Sequence, residues 1–86
     1  MSWGWEYEPD QASVVGGAPE AFVALVETAV AEIVRAAEAL YLDGTLYEGP
    51  NPRAATAYVD DGMFVYLIVV RSERVYVLQT TYLPAH

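Results

Sequence analysis

Apolar and polar positions alternate at the start of the chain. In residues 2–8 the aromatics Trp3, Trp5 and Tyr7 share one parity, and small or acidic residues share the other. That is the period of a half-buried strand. Pro9-Asp10 ends it, and residues 10–18, with Val14-Val15 ahead of Gly16-Gly17, read as a short turn or a single helical turn. Over residues 19–42 the period becomes helical. At about 100° per residue, Phe22, Leu25, Val26, Ala29, Ile33, Ala36 and Leu40 fall on one side, and Glu20, Glu27, Ala31, Arg35 and Glu38 on the other. Pro19 suits the first helical position, Glu20 suits the N-terminal dipole, and Asp43-Gly44 supplies the stop. Val23, Val30, Val34 and Tyr41 widen the apolar arc to roughly half the circumference, more than one sheet face needs.

The remainder reads as strands. Residues 45–53 are a loop by composition, and residues 54–59 form a short strand closed by the turn signal Asp60-Asp61-Gly62. In residues 63–70 both parities are apolar: Phe64, Tyr66, Ile68 and Val70 on one, Met63, Val65, Leu67 and Val69 on the other. A strand of that pattern is covered on both faces. Residues 71–74 connect it to a last strand, residues 75–83, which Pro84 ends. The expected fold is α+β and occupies residues 1–86 as one domain. An antiparallel sheet of about four strands carries one long helix on one face, in the order β-α-β-β-β, with room for a short helix before the long one. One helix covers one face only. The second face of the 63–70 strand therefore needs another cover, and self-association is the simplest. The candidate partner-binding residues are Val23, Val30, Val34, Tyr41, Met63, Val65, Leu67 and Val69.

Charge narrows the partners. The 86 residues hold 12 acids against four arginines, with no lysine, for a net charge of −8. Such a chain lacks the basic face that neutralises nucleic-acid phosphates, and it is repelled by anionic membranes. The imbalance is local: residues 1–52 contain nine acids and one base, whereas residues 53–86 contain three of each. The absence of cysteine excludes disulfides and thiolate chemistry. The first residues lack the basic and apolar regions of a signal peptide, and the apolar run at 63–70 is too short to span a bilayer. A cytoplasmic location is expected.

Candidate chemistry is sparse. His86 is the only histidine and stands last, so a Ser-His-Asp arrangement or a histidine metal site would rest on the terminus. No phosphate-binding glycine motif occurs; Gly16-Gly17 reads as a turn before a helix. Glu6 and Glu8 share one strand face, either holding a hard cation or acting as an acid/base pair, or forming the solvated side of an edge strand. Asp60-Asp61-Gly62 lacks the spaced oxygens of a calcium loop and reads as a turn. The Trp3/Trp5/Tyr7 stripe is core or a stacking surface, and a ligand pocket lined by Trp3, Trp5 and Tyr66 is a further option. Arg53, Arg71 and Arg74 either bind an anion or acidic partner, or solubilise loops. No cofactor and no metal is expected.

Three segments resemble the RelE/ParE-like toxin superfamily. Residues 32–44 resemble the end of its main helix, residues 47–52 its following loop, and residues 63–83 its closing hairpin, where a valine-tyrosine strand leads through a charged turn to an apolar strand. The resemblance implies that fold. It also implies contact with a second copy or with a small protein partner such as an antitoxin. Members of the ribosome-dependent branch cut mRNA with basic residues on the sheet and a terminal tyrosine or histidine. Tyr82 falls near that tyrosine, but the position before the valine-tyrosine strand, often arginine, is Met63 or Phe64. The expected function is therefore protein–protein interaction without catalysis. The alternative is an active toxin, an endoribonuclease or gyrase inhibitor, using Arg53, Arg71, Arg74 and Tyr82.

Overall fold

The initial alternation forms strand β1 (Gly4–Tyr7) in the computed structural model, which describes residues 2–49 and 53–84, with Arg53 as backbone alone. Residues 50–52 of the expected loop, and His86, lie outside the described residues. A short helix, α1 (Gln11–Val15), follows, and its N-terminus is capped where the Asp10 carboxylate accepts the Ser13 N–H at 2.8 Å. The long helix α2 (Glu20–Tyr41) begins directly after Pro19 and stops at Leu42, whose φ of 55° is left-handed. A 3₁₀ turn (Gly44–Leu46) leads on to β2 (Arg53–Val59) and β3 (Gly62–Val69). The β2–β3 connection is the expected Asp60-Asp61 turn, with Asp61 at φ 68°. A second 3₁₀ turn (Val70–Ser72) then enters β4 (Arg74–Tyr82).

The sheet order is β1-β4-β3-β2. β2, β3 and β4 form an antiparallel meander, but β1 pairs parallel with β4, so the sheet is mixed rather than antiparallel. The reason is directional. α2 carries the chain back over the sheet, so β2 runs the same way as β1. Two hairpins later β4 points that way again, and it takes β1 as its neighbour. Parallel pairing needs a crossover of a dozen or more residues, which the two helices supply.

Parity then decides the faces. Phe64, Val75 and Val77 are fully buried toward the helices, with Trp5, Tyr7, Ala57, Tyr66 and Ile68 packed around them. A bulge interrupts β4. Val65 pairs with Gln79 and Tyr66 with Val77, so Leu78 is the extra residue. Beyond it the helix-facing parity switches from odd to even. Thr80 donates its hydroxyl to the Val14 carbonyl at 2.6 Å, and the Tyr82 ring lies 5.1 Å from Phe22.

The sheet sits on a different stripe of α2 from the one periodicity favours. The buried positions are Phe22, Val26, Val30 and Ala37, whereas Leu25 and Leu40 are 37% and 71% exposed. The contact stripe is turned by about 50° from the expected one. An apolar arc half a circumference wide allows that choice, and Phe64, Val75 and Val77 make it. Val30, expected on the partner-binding face, is 0% exposed and offers a partner no surface.

Candidate functional site

Arg71 and Arg74 serve structure. The Arg71 Nε–H donates to the Tyr47 carbonyl at 2.9 Å and ties the two 3₁₀ turns together. The Arg74 Nη1 donates to the carbonyls of Ser2 (3.3 Å) and Glu73 (3.2 Å), and its Nε stands 3.8 Å from Glu6 Oε2. Arg53 opens β2 opposite Ile68, which itself pairs with Val75, so its backbone lies toward the same end of the sheet. Tyr82 closes β4 at the other end. Eight residue steps along the strand separate it from Arg74, roughly 26 Å. The four residues implied by the toxin resemblance are therefore not one site: three stand at one end and Tyr82 at the other.

The aromatic stripe also divides. Trp5 and Tyr7 pack against the core and meet edge to face at 5.0 Å. Trp3 lies outside β1. Its indole N–H donates to the Leu42 carbonyl at 3.2 Å, and its ring stacks on Tyr41 at 6.1 Å. Tyr41 in turn meets Tyr47 at 5.0 Å, which half-buries it at the end of α2. Tyr66 borders a small cleft of about 180 Å³ with Ile33, Ala36, Ala37, Leu40, Tyr41 and Ile68, and neither tryptophan reaches that lining. This cleft is therefore not the pocket expected from Trp3, Trp5 and Tyr66. Val23 and Val34 flank the buried stripe of α2 and pack partly into the core.

Two surfaces of the described residues stand out. The first is the face of the sheet opposite the helices. Met63, Val65, Leu67 and Val69 run along its centre, all only partly buried. Register places Ala54 and Tyr76 beside Leu67, Thr56 and Gln79 beside Val65, and Tyr58 and Thr81 beside Met63. Among the described strand residues, Glu6 and Arg74 bring charge to this face, as a loose pair at the β1–β4 edge. No described element covers this face.

The second is a groove of about 810 Å³ between α1 and the first two turns of α2. Val15, Ala18 and Val23 give it an apolar floor; Ala12, Gly16 and Ala24 keep its walls low. Asp10, Glu20 and Glu27 are the charged residues of its lining. Hydrogen bonds from Ser13 hold the Asp10 carboxyl below its ordinary range. Glu27 accepts the Tyr7 hydroxyl at 2.9 Å. Burial first, and then that hydrogen bond and the Glu27 charge, push the Tyr7 hydroxyl well above its usual value. The charges of the groove were visible in the sequence only as helix polarity; the wide apolar arc of α2 was the one signal that a second surface existed.

Among the described residues no cluster of three His, Asp or Glu side chains is arranged to hold a metal ion, and no helix is long and apolar enough to cross a membrane. Comparison with protein-family models, curated proteins and solved structures gives no match.

Proposed function

We propose that this chain is a RelE/ParE-like interaction domain that acts by binding a second copy of itself through the open sheet face, without catalysis of its own. One observation carries the reading: β3 is apolar on both parities, and the helices cover only one of them. A contiguous apolar stripe on a soluble surface marks an interaction site. The stripe is also free of charge at its centre, so two copies can meet across a two-fold axis without opposing their surplus acids there, despite the net charge of −8. The order strand, short helix, long helix, three-strand meander supports the fold assignment. The spread of Arg53, Arg71, Arg74 and Tyr82 along the sheet favours interaction over nuclease chemistry, which needs its groups within hydrogen-bond reach of one substrate.

Size-exclusion chromatography with light scattering tests the reading. Wild type is expected as a dimer at tens of micromolar. Leu67→Glu, on the open face, is expected as a folded monomer with an unchanged circular dichroism spectrum. A wild-type monomer at that concentration refutes self-association.

A further inference from the structure

The groove between α1 and α2 is a second surface, and its chemistry differs from that of the sheet. Its floor, formed by Val15, Ala18 and Val23, is apolar and its walls are low, so an incoming helix can seat large side chains there. Its rim is acidic. Asp10 accepts hydrogen bonds from Ser13, Glu27 accepts the Tyr7 hydroxyl, and Glu20 is exposed. Among the described residues no basic side chain lines the groove. The arginines with described side chains are engaged elsewhere: Arg35 pairs with Glu32 at 3.1 Å, and Arg71 and Arg74 secure the opposite end of β4. The rim is therefore not neutralised within the described chain. A second copy is a poor occupant, because it would bring its own surplus acid to an acidic rim.

From this complementarity we infer that the groove receives a basic amphipathic helix of a partner protein. Leucine-sized side chains of the helix fill the apolar floor, and lysines or arginines along its flanks meet Asp10, Glu20 and Glu27. This site is independent of the open sheet face, so a complex containing both partners is allowed.

Fluorescence anisotropy with three labelled synthetic helices tests the inference on the full chain. The first carries lysines beside a leucine stripe. The second has glutamates in place of the lysines, and the third has the same lysines with the stripe scrambled. Saturable binding at micromolar concentration is expected for the first helix alone. Glu20→Lys is expected to weaken it about fivefold or more. Ala24→Lys, which places a cation and a long side chain in the groove, is expected to weaken it more than about tenfold. Both positions are exposed on α2, and circular dichroism checks that each variant folds. Leu67→Glu is expected to bind the helix as wild type does, which separates this site from the sheet face. Equal binding of the scrambled helix, or full binding to Ala24→Lys, overturns the proposal. So does the absence of saturation below about 1 mM.

Discussion

Glu73 offers the sharpest test of how this fold is held. It sits in a charged turn, yet it is only 4% exposed. Its carboxylate accepts the buried Gly44 N–H at 3.1 Å, and its carbonyl accepts the Gly4 N–H at 3.1 Å. One residue thus joins β1, the 44–46 turn and the 70–72 turn. Its backbone is left-handed, at φ 54° and ψ 45°. Three substitutions separate these contributions. Glu73→Ala removes the acceptor and strands a buried N–H, at a cost of about 2 kcal/mol. Glu73→Gly loses the same hydrogen bond but relieves the left-handed backbone, recovering about 1 kcal/mol. Glu73→Gln keeps an acceptor and is expected to cost less than about 1 kcal/mol. Urea unfolding followed by tryptophan fluorescence reads the order Gln, Gly, Ala from most to least stable. With a slope of about 1–1.5 kcal/mol/M, the alanine variant should unfold about 1–2 M earlier than wild type. An alanine variant with the wild-type midpoint would refute the role of the carboxylate. A glycine variant less stable than the alanine variant would refute the backbone argument.

Two further outcomes follow from the same contacts. Val30→Ala, deleting a fully buried side chain from the contact stripe of α2, should cost about 2–3 kcal/mol and lower the thermal midpoint by about 10 °C or more; an unchanged midpoint would return Val30 to the surface. Tyr7 keeps its proton in the folded state above the ordinary tyrosine value of 10.0, so the unfolded chain releases a proton first, and stability falls as pH rises beyond that value. Tyr7→Phe should flatten this alkaline loss, measured as urea midpoints at about pH 8 and about pH 11, and an equally steep loss in the variant contradicts the assignment.

Much of the fold was legible because local pattern dictates it. The Asp60-Asp61 turn and the two-sided apolar run of β3 appear where the sequence puts them; the strand expected over residues 2–8 shortens to 4–7, Pro19 is the extended cap before α2 rather than its first helical residue, and the helix stops at Leu42, just ahead of Asp43-Gly44. These signals span fewer than about ten residues or repeat at a fixed period. The direction of β1 was in principle within reach, since a helical crossover followed by two hairpins returns the last strand parallel to the first. The bulge at Leu78 was not: nothing in residues 75–83 announces an extra residue, because both parities there carry apolar side chains.

What the sequence determined by itself is therefore the order of the long helix and the four strands, the excess of apolar surface over what one helix covers, and the concentration of acid in the first 52 residues. Tertiary structure alone decided which half of a wide helical arc faces the sheet, that Val30 is core, and that Glu73 is a buried clasp rather than a turn charge. It also decided that Arg71 and Arg74 stand far from Tyr82. The physical reason is the same in each case. Periodicity specifies a direction around a helix or across a strand, but only packing against residues distant in the chain chooses among several directions that are equally apolar.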